Sequence, residues 1–136
     1  MRCSTRLTRR ARRAADERGS ASLELVVVFP ALMLIFFASI QAGLYFYARS
    51  VALASAQEGA RVSAQETGSS ADGQATAAAF ADQAGGQFIQ SRSISSRRGA
   101  QTVVVTVRGR SLSLLPGFDG FTIDQTANLP VERVTG

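Results

Sequence analysis

Histidine is absent from the 136 residues and cysteine occurs once, at Cys3. Thiol and imidazole metal sites, Cys/His nucleophile pairs and a Ser/His/Asp triad are therefore excluded by inventory. A disulfide within the chain is excluded too. Cys3 does not mark a lipid anchor, because an acylated cysteine follows an apolar signal segment and this one precedes the apolar run by about twenty residues. Net charge is also missing from most of the chain, since residues 20–136 carry eight arginines and eight acids. The whole formal charge of +5 comes from residues 1–19, where Arg2, Arg6, Arg9, Arg10, Arg12, Arg13 and Arg18 stand against Asp16 and Glu17. A basic chain invites a nucleic-acid reading. Confinement of the excess to one side of an apolar segment points instead to the charge rule that orients membrane helices. No nucleic-acid partner, small-molecule substrate or cofactor is expected, and Arg97-Arg98 reads as an isolated pair in a solvated turn.

Charge is absent again from Leu25 to Ala48, a run of 24 residues. As a helix it spans about 36 Å at roughly 1.5 Å per residue, enough to cross a bilayer core of about 30 Å with some tilt. Tyr45 and Tyr47 near its end, followed by Arg49, fit an interfacial aromatic belt and a snorkelling cation. The bland rival is a cleaved secretory signal ending at Ala54-Ser55-Ala56. A signal's apolar region is about 7–15 residues, and Arg49 separates the run from that small-residue site. The paired arginines of the leader do not make a twin-arginine signal, because the AADERGS that follows is polar and acidic.

Arg18-Gly19-Ser20-Ala21-Ser22-Leu23-Glu24 stands immediately before the apolar run. Small residues around Gly19 suit an extended backbone entering a protease cleft, and the basic leader keeps that bond on the cytoplasmic face. Cleavage there gives Ser20 a free amine. Glu24 becomes the fifth mature residue, about 6 Å further along the helix. A carboxylate at a membrane entrance asks for a partner, and the Ser20 amine of a neighbouring subunit supplies one. The plainer alternative leaves Glu24 among the lipid headgroups. Pro30 lacks a donor and clashes with the preceding turn, so a helix kink over Val26–Pro30 is expected; a merely tolerated membrane proline is the alternative.

This arrangement resembles a type IV prepilin, and more narrowly the TadE-like family of the tight-adherence pilus system. Besides residues 18–24, the match rests on Pro30, on Gly43-Leu44-Tyr45 and on Ala56-Gln57-Glu58-Gly59-Ala60-Arg61. The resemblance implies a prepilin peptidase cutting between Gly19 and Ser20, an assembly role for Glu24 and a helix bend at Pro30. It also implies as partners other pilin or pseudopilin subunits, a membrane assembly platform and the lipid bilayer.

Beyond Arg49 the helical pattern continues, with Glu58 and Arg61 spaced to pair, so one long helix over about residues 22–65 is expected. Ala52, Ala56, Gly59, Ala60 and Ser63 form a small-residue face suited to close packing against a sheet or a neighbouring helix, and core packing within the chain is the expected use. Thr67–Gly73 reads as a turn, with Ser70 or Asp72 capping a second helix that Gly85-Gly86 stops. Alternation over Gln101–Arg108 and Phe121–Val131 predicts two strands, Ser91–Ser96 a weaker third, and Pro130 an edge position. The expected fold is α+β and membrane-anchored: a long N-terminal helix, a short second helix and a small antiparallel sheet packed on the first. Residues 1–19 form a cleaved cytoplasmic leader, 20–48 the membrane part of the helix, 49–66 its external continuation and 67–136 an external domain.

The expected function is that of a minor pilin or pseudopilin rather than an enzyme. The alternatives are an uncleaved, membrane-anchored envelope adaptor, and an anchored hydrolase built on Asp119 and Asp124.

Overall fold

The computed structural model describes the backbone of residues 5–133 and the side chains of residues 24–133. Helix α1 covers Thr5–Ala64 and helix α2 Ser70–Phe80. A π-helical turn (Ala81–Gly85) and a 3-10 turn (Gly86–Phe88) lead into strands β1 (Ile89–Arg98), β2 (Thr102–Ser111) and β3 (Thr122–Pro130). The fold is α+β, with a three-stranded antiparallel sheet in the order β1-β2-β3. The chain forms two units, one ending at Ser39 and the other beginning at Ile40.

The first unit is helical from Thr5. Its onset lies well before the expected residue 22, because the Arg- and Ala-rich leader is itself made largely of strong helix formers and a single Gly19 costs only about 1 kcal/mol. Val26, Val27, Leu34 and Ile35, which point in different directions around the helix, are each more than 60% exposed. A helix that is apolar all round belongs in a membrane or a large core.

In the second unit, the C-terminal part of α1 lays its small-residue face beneath the sheet. Ala48, Ala52, Ala56 and Ala60 are fully buried against Val103, Val105 and Val107 of β2 and Ile123 of β3. The valines alternate with half-buried Val104 and Thr106, as a strand with one covered face requires. β2 is central, and Pro130 ends the edge strand β3, where its missing N–H breaks no ladder. β1 is a full ten-residue strand rather than a weak one. Its register against β2 slips between Gln90 and Ser93, with Ser91 at φ 49°, and the resulting bulge brings Arg92 into an ion pair with Asp82.

Helix α2 crosses α1 at two glycines. A Cβ on Gly59 would lie 2.5 Å from the Gly73 carbonyl oxygen and 2.8 Å from Ala77 Cβ. Ser63, buried at this crossing, donates to the Ser69 carbonyl at 2.9 Å and lies 3.2 Å from the Ser96 hydroxyl. The turn preceding α2 is shorter than Thr67–Gly73, and its cap is neither Ser70 nor Asp72 but Ser69. Ser69 Oγ accepts from the Asp72 amide at 3.1 Å while Asp72 Oδ2 accepts from the Ser69 amide at 3.1 Å, a reciprocal capping box. Ser69→Ala should therefore destabilise the second unit by about 1 kcal/mol, read as a lower thermal midpoint of the full chain in detergent; an unchanged midpoint would contradict the cap's role.

Arg98 also departs from expectation. It is half-buried at the end of β1 rather than in a solvated turn: its guanidinium donates to the carbonyls of Ser63, Gln65 and Glu66, and the Glu132 amide donates to the Ala64 carbonyl at 2.9 Å. The end of β1 and the segment after β3 thus supply donors to the acceptors that the C-terminus of α1 leaves open.

Candidate assembly site on the membrane helix

The expected site residues occupy consecutive turns of α1. Gly19 and Ser20 lie within its helical backbone, and their side chains, like those of the arginine-rich leader, fall outside the described residues. Glu24 follows one turn after Ser20 and is exposed. Among the described residues it makes no ion pair. Pro30 lies inside the helix six residues further on, and the helix continues through it. The tertiary fold does not gather these positions around a cavity. They form a linear array in which a carboxylate stands at the head of an apolar segment long enough to cross a membrane.

The other end of the segment holds a residue that the sequence reading passed over. Gln41 lies within the uncharged run yet is only 5% exposed. Its Nε2 donates to the Leu112 carbonyl at 3.1 Å, and its Oε1 accepts from the Leu114 amide at 3.2 Å. Both ends of the carboxamide are satisfied, which clamps the β2–β3 loop to the helix. A lone carboxamide in an apolar run was the available signal, since an amide there is costly unless paired. Tyr45 and Tyr47, expected as an interfacial belt, also serve the fold. Tyr45 packs edge-on against Phe121 with centroids 5.6 Å apart, and the Tyr47 hydroxyl donates to the Ala84 carbonyl at 2.7 Å.

Asp119 and Asp124 do not converge as a pair of catalytic carboxylates. Asp124 pairs with its cross-strand neighbour Arg108 at 2.8 Å, and Asp119 with Arg110 at 3.3 Å. All four side chains are at least half exposed, so these pairs contribute little stability.

No curated protein and no solved structure matches the chain. Residues 19–61, which run from the glycine ahead of Glu24 to the Arg61 that pairs with Glu58, match the model of the family described as TadE-like protein, a family of Tad pilus-associated proteins.

Proposed function

We propose that the chain is a minor pilin or pseudopilin that acts in assembly of a tight-adherence pilus or a related secretion system. Residues 1–19 are its cytoplasmic leader, 20–48 its membrane segment, 49–66 the external continuation of the helix and 67–136 its external domain. The excess of arginine before the apolar run and its absence afterwards support this orientation. Prepilin peptidase removes the leader between Gly19 and Ser20. The bond lies in helical backbone, so the peptidase must open a turn, and Gly19 lowers that cost by about 1 kcal/mol relative to alanine.

The observation that carries the reading is the exposed Glu24 at the head of a lipid-compatible helix, one turn from Ser20, inside the segment that matches the TadE-like family. Once the leader is removed, the Ser20 amine of one subunit faces the Glu24 carboxylate of the next at the edge of the hydrocarbon. The pair neutralises a charge that lipid alone would penalise. Pro30 supplies a bend with which neighbouring helices pack, and the membrane assembly platform draws the subunits out of the bilayer. Catalysis forms no part of this role.

N-terminal sequencing of the membrane-extracted protein, co-produced with a prepilin peptidase, should find Ser20 as the first residue. Gly19→Leu should retain the leader. Wild-type protein that keeps the leader while performing its function would establish the uncleaved adaptor instead.

A further inference from the structure

The β2–β3 loop, Leu112–Phe121, carries more exposed apolar surface than a solvated turn needs. Leu114 is 50% exposed, Leu115 42%, Phe118 37% and Phe121 48%, and Phe46 on α1 is 59% exposed. The aromatic members are joined through Tyr45, and the Phe118 amide donates to the Leu115 carbonyl at 3.3 Å. Phe118 stacks edge-on against Phe121 at 5.0 Å, Phe121 against Tyr45 at 5.6 Å and Tyr45 against Phe46 at 5.5 Å. The Gln41 clamp holds the start of the loop to the same turns of the helix. Asp119, the loop's one charge, is paired with Arg110 on β2.

The length of the apolar helix indicates what covers this patch. Leu25–Ser39, the exposed apolar part of the first unit, has 15 residues and rises about 22 Å at roughly 1.5 Å per residue. A hydrocarbon core is about 30 Å thick. The remaining 8 Å or so falls on about five further residues, which brings the boundary to the Gln41–Tyr45 turns to which the loop is fastened. Tilt moves that boundary further along the helix.

We propose that the β2–β3 loop is a membrane-inserted collar, with Leu114, Leu115 and Phe118 lying in the headgroup and upper acyl region beside Phe46 while the sheet stays in water. This inference rests on the reading that Leu25–Ala48 crosses the bilayer. The loop sets the depth at which the helix sits, and removal of a subunit from the membrane must withdraw the loop as well as the helix.

Cys3 is the only native cysteine, so the full chain carrying Cys3→Ser accepts single fluorescent labels. Leu115→Cys, Leu114→Cys, Phe37→Cys and Asn128→Cys are each labelled with an environment-sensitive probe and reconstituted in phosphatidylcholine vesicles containing spin-labelled lipid. All four positions are exposed, so the labels leave the core alone. Labels at Leu114 and Leu115 should be blue-shifted and quenched more by a spin label near the headgroup than by one at the chain end, the depth expected of an interfacial insertion of about 5–10 Å. The Phe37 label should be quenched best by the deep spin label and the Asn128 label by neither. Quenching at Phe37 without quenching at Leu114 or Leu115 overturns the collar alone, and disulfide-linked dimers of the unlabelled Leu115→Cys protein would then assign the patch to a second subunit. No quenching at Phe37 overturns the membrane crossing and the collar with it.

Discussion

Glu24→Ala should leave the protein in the membrane and take it out of the assembly. Removing a carboxylate from the mouth of an apolar helix relieves a desolvation cost, so insertion is unchanged or slightly favoured. What disappears, in the proposed assembly, is the partner for the Ser20 amine. A hydrogen bond to a charged group contributes about 1.5–3 kcal/mol, so association between subunits should weaken on the order of ten- to a hundredfold. Glu24→Gln keeps an acceptor and loses the charge, and should fall between wild type and Glu24→Ala. The measurement is recovery of untagged subunit with a tagged copy from detergent extracts, alongside the amount in the sheared surface fraction. Wild-type recovery of Glu24→Ala would sink the pairing, and failure of the variant to reach the membrane would show that Glu24 acts in insertion.

Gly73→Ala should destabilise the second unit although alanine is the better helix former. A Cβ there would sit 2.6 Å from the Gly59 carbonyl oxygen and 2.9 Å from Ser63 Cβ. The oxygen belongs to helix backbone and the Cβ is fixed to it, so neither can swing away. Overpacking against such atoms costs about 3 kcal/mol, the upper part of its usual range, and the helix propensity of alanine returns about 1. The net loss of about 2 kcal/mol corresponds to a fall of roughly 10 °C in thermal midpoint for a unit of this size. Gly43→Ala is the control: nothing lies within 4 Å of its Cβ position, so it should be neutral or stabilising by up to about 1 kcal/mol. Equal midpoints for Gly73→Ala and wild type would show that the two helices do not approach this closely. Gly59, in the segment that matches the TadE-like family, is thus explained by packing rather than by chemistry.

The regular elements were legible because their signals are local. An uncharged run measures its own length, alternating Val103, Val105 and Val107 show a strand with one covered face, and the small residues from Ala52 to Ser63 mark the helix face that the core covers. The end of α1 was expected at about residue 65 and lies at Ala64. The beginning was missed because a change of function was read as a change of structure. Arginine and alanine on either side of Gly19 favour helix whatever happens to that peptide bond.

The sequence by itself determined the apolar rod, the side on which its flanking charge lies, the carboxylate at its entrance and the alternation of the strands, since each is a property of neighbours along the chain. Only the tertiary structure decided that Gln41 clasps a loop 71 residues away, that Arg98 reaches 35 residues back to cap α1, and that Gly59 and Gly73 meet. The physical reason is that a polar or small residue carries its requirement in its chemistry while its partner is set by the folded path of the chain. Burial compels Gln41 to find hydrogen bonds, and only the packing of the sheet on α1 brings Leu112 and Leu114 within reach.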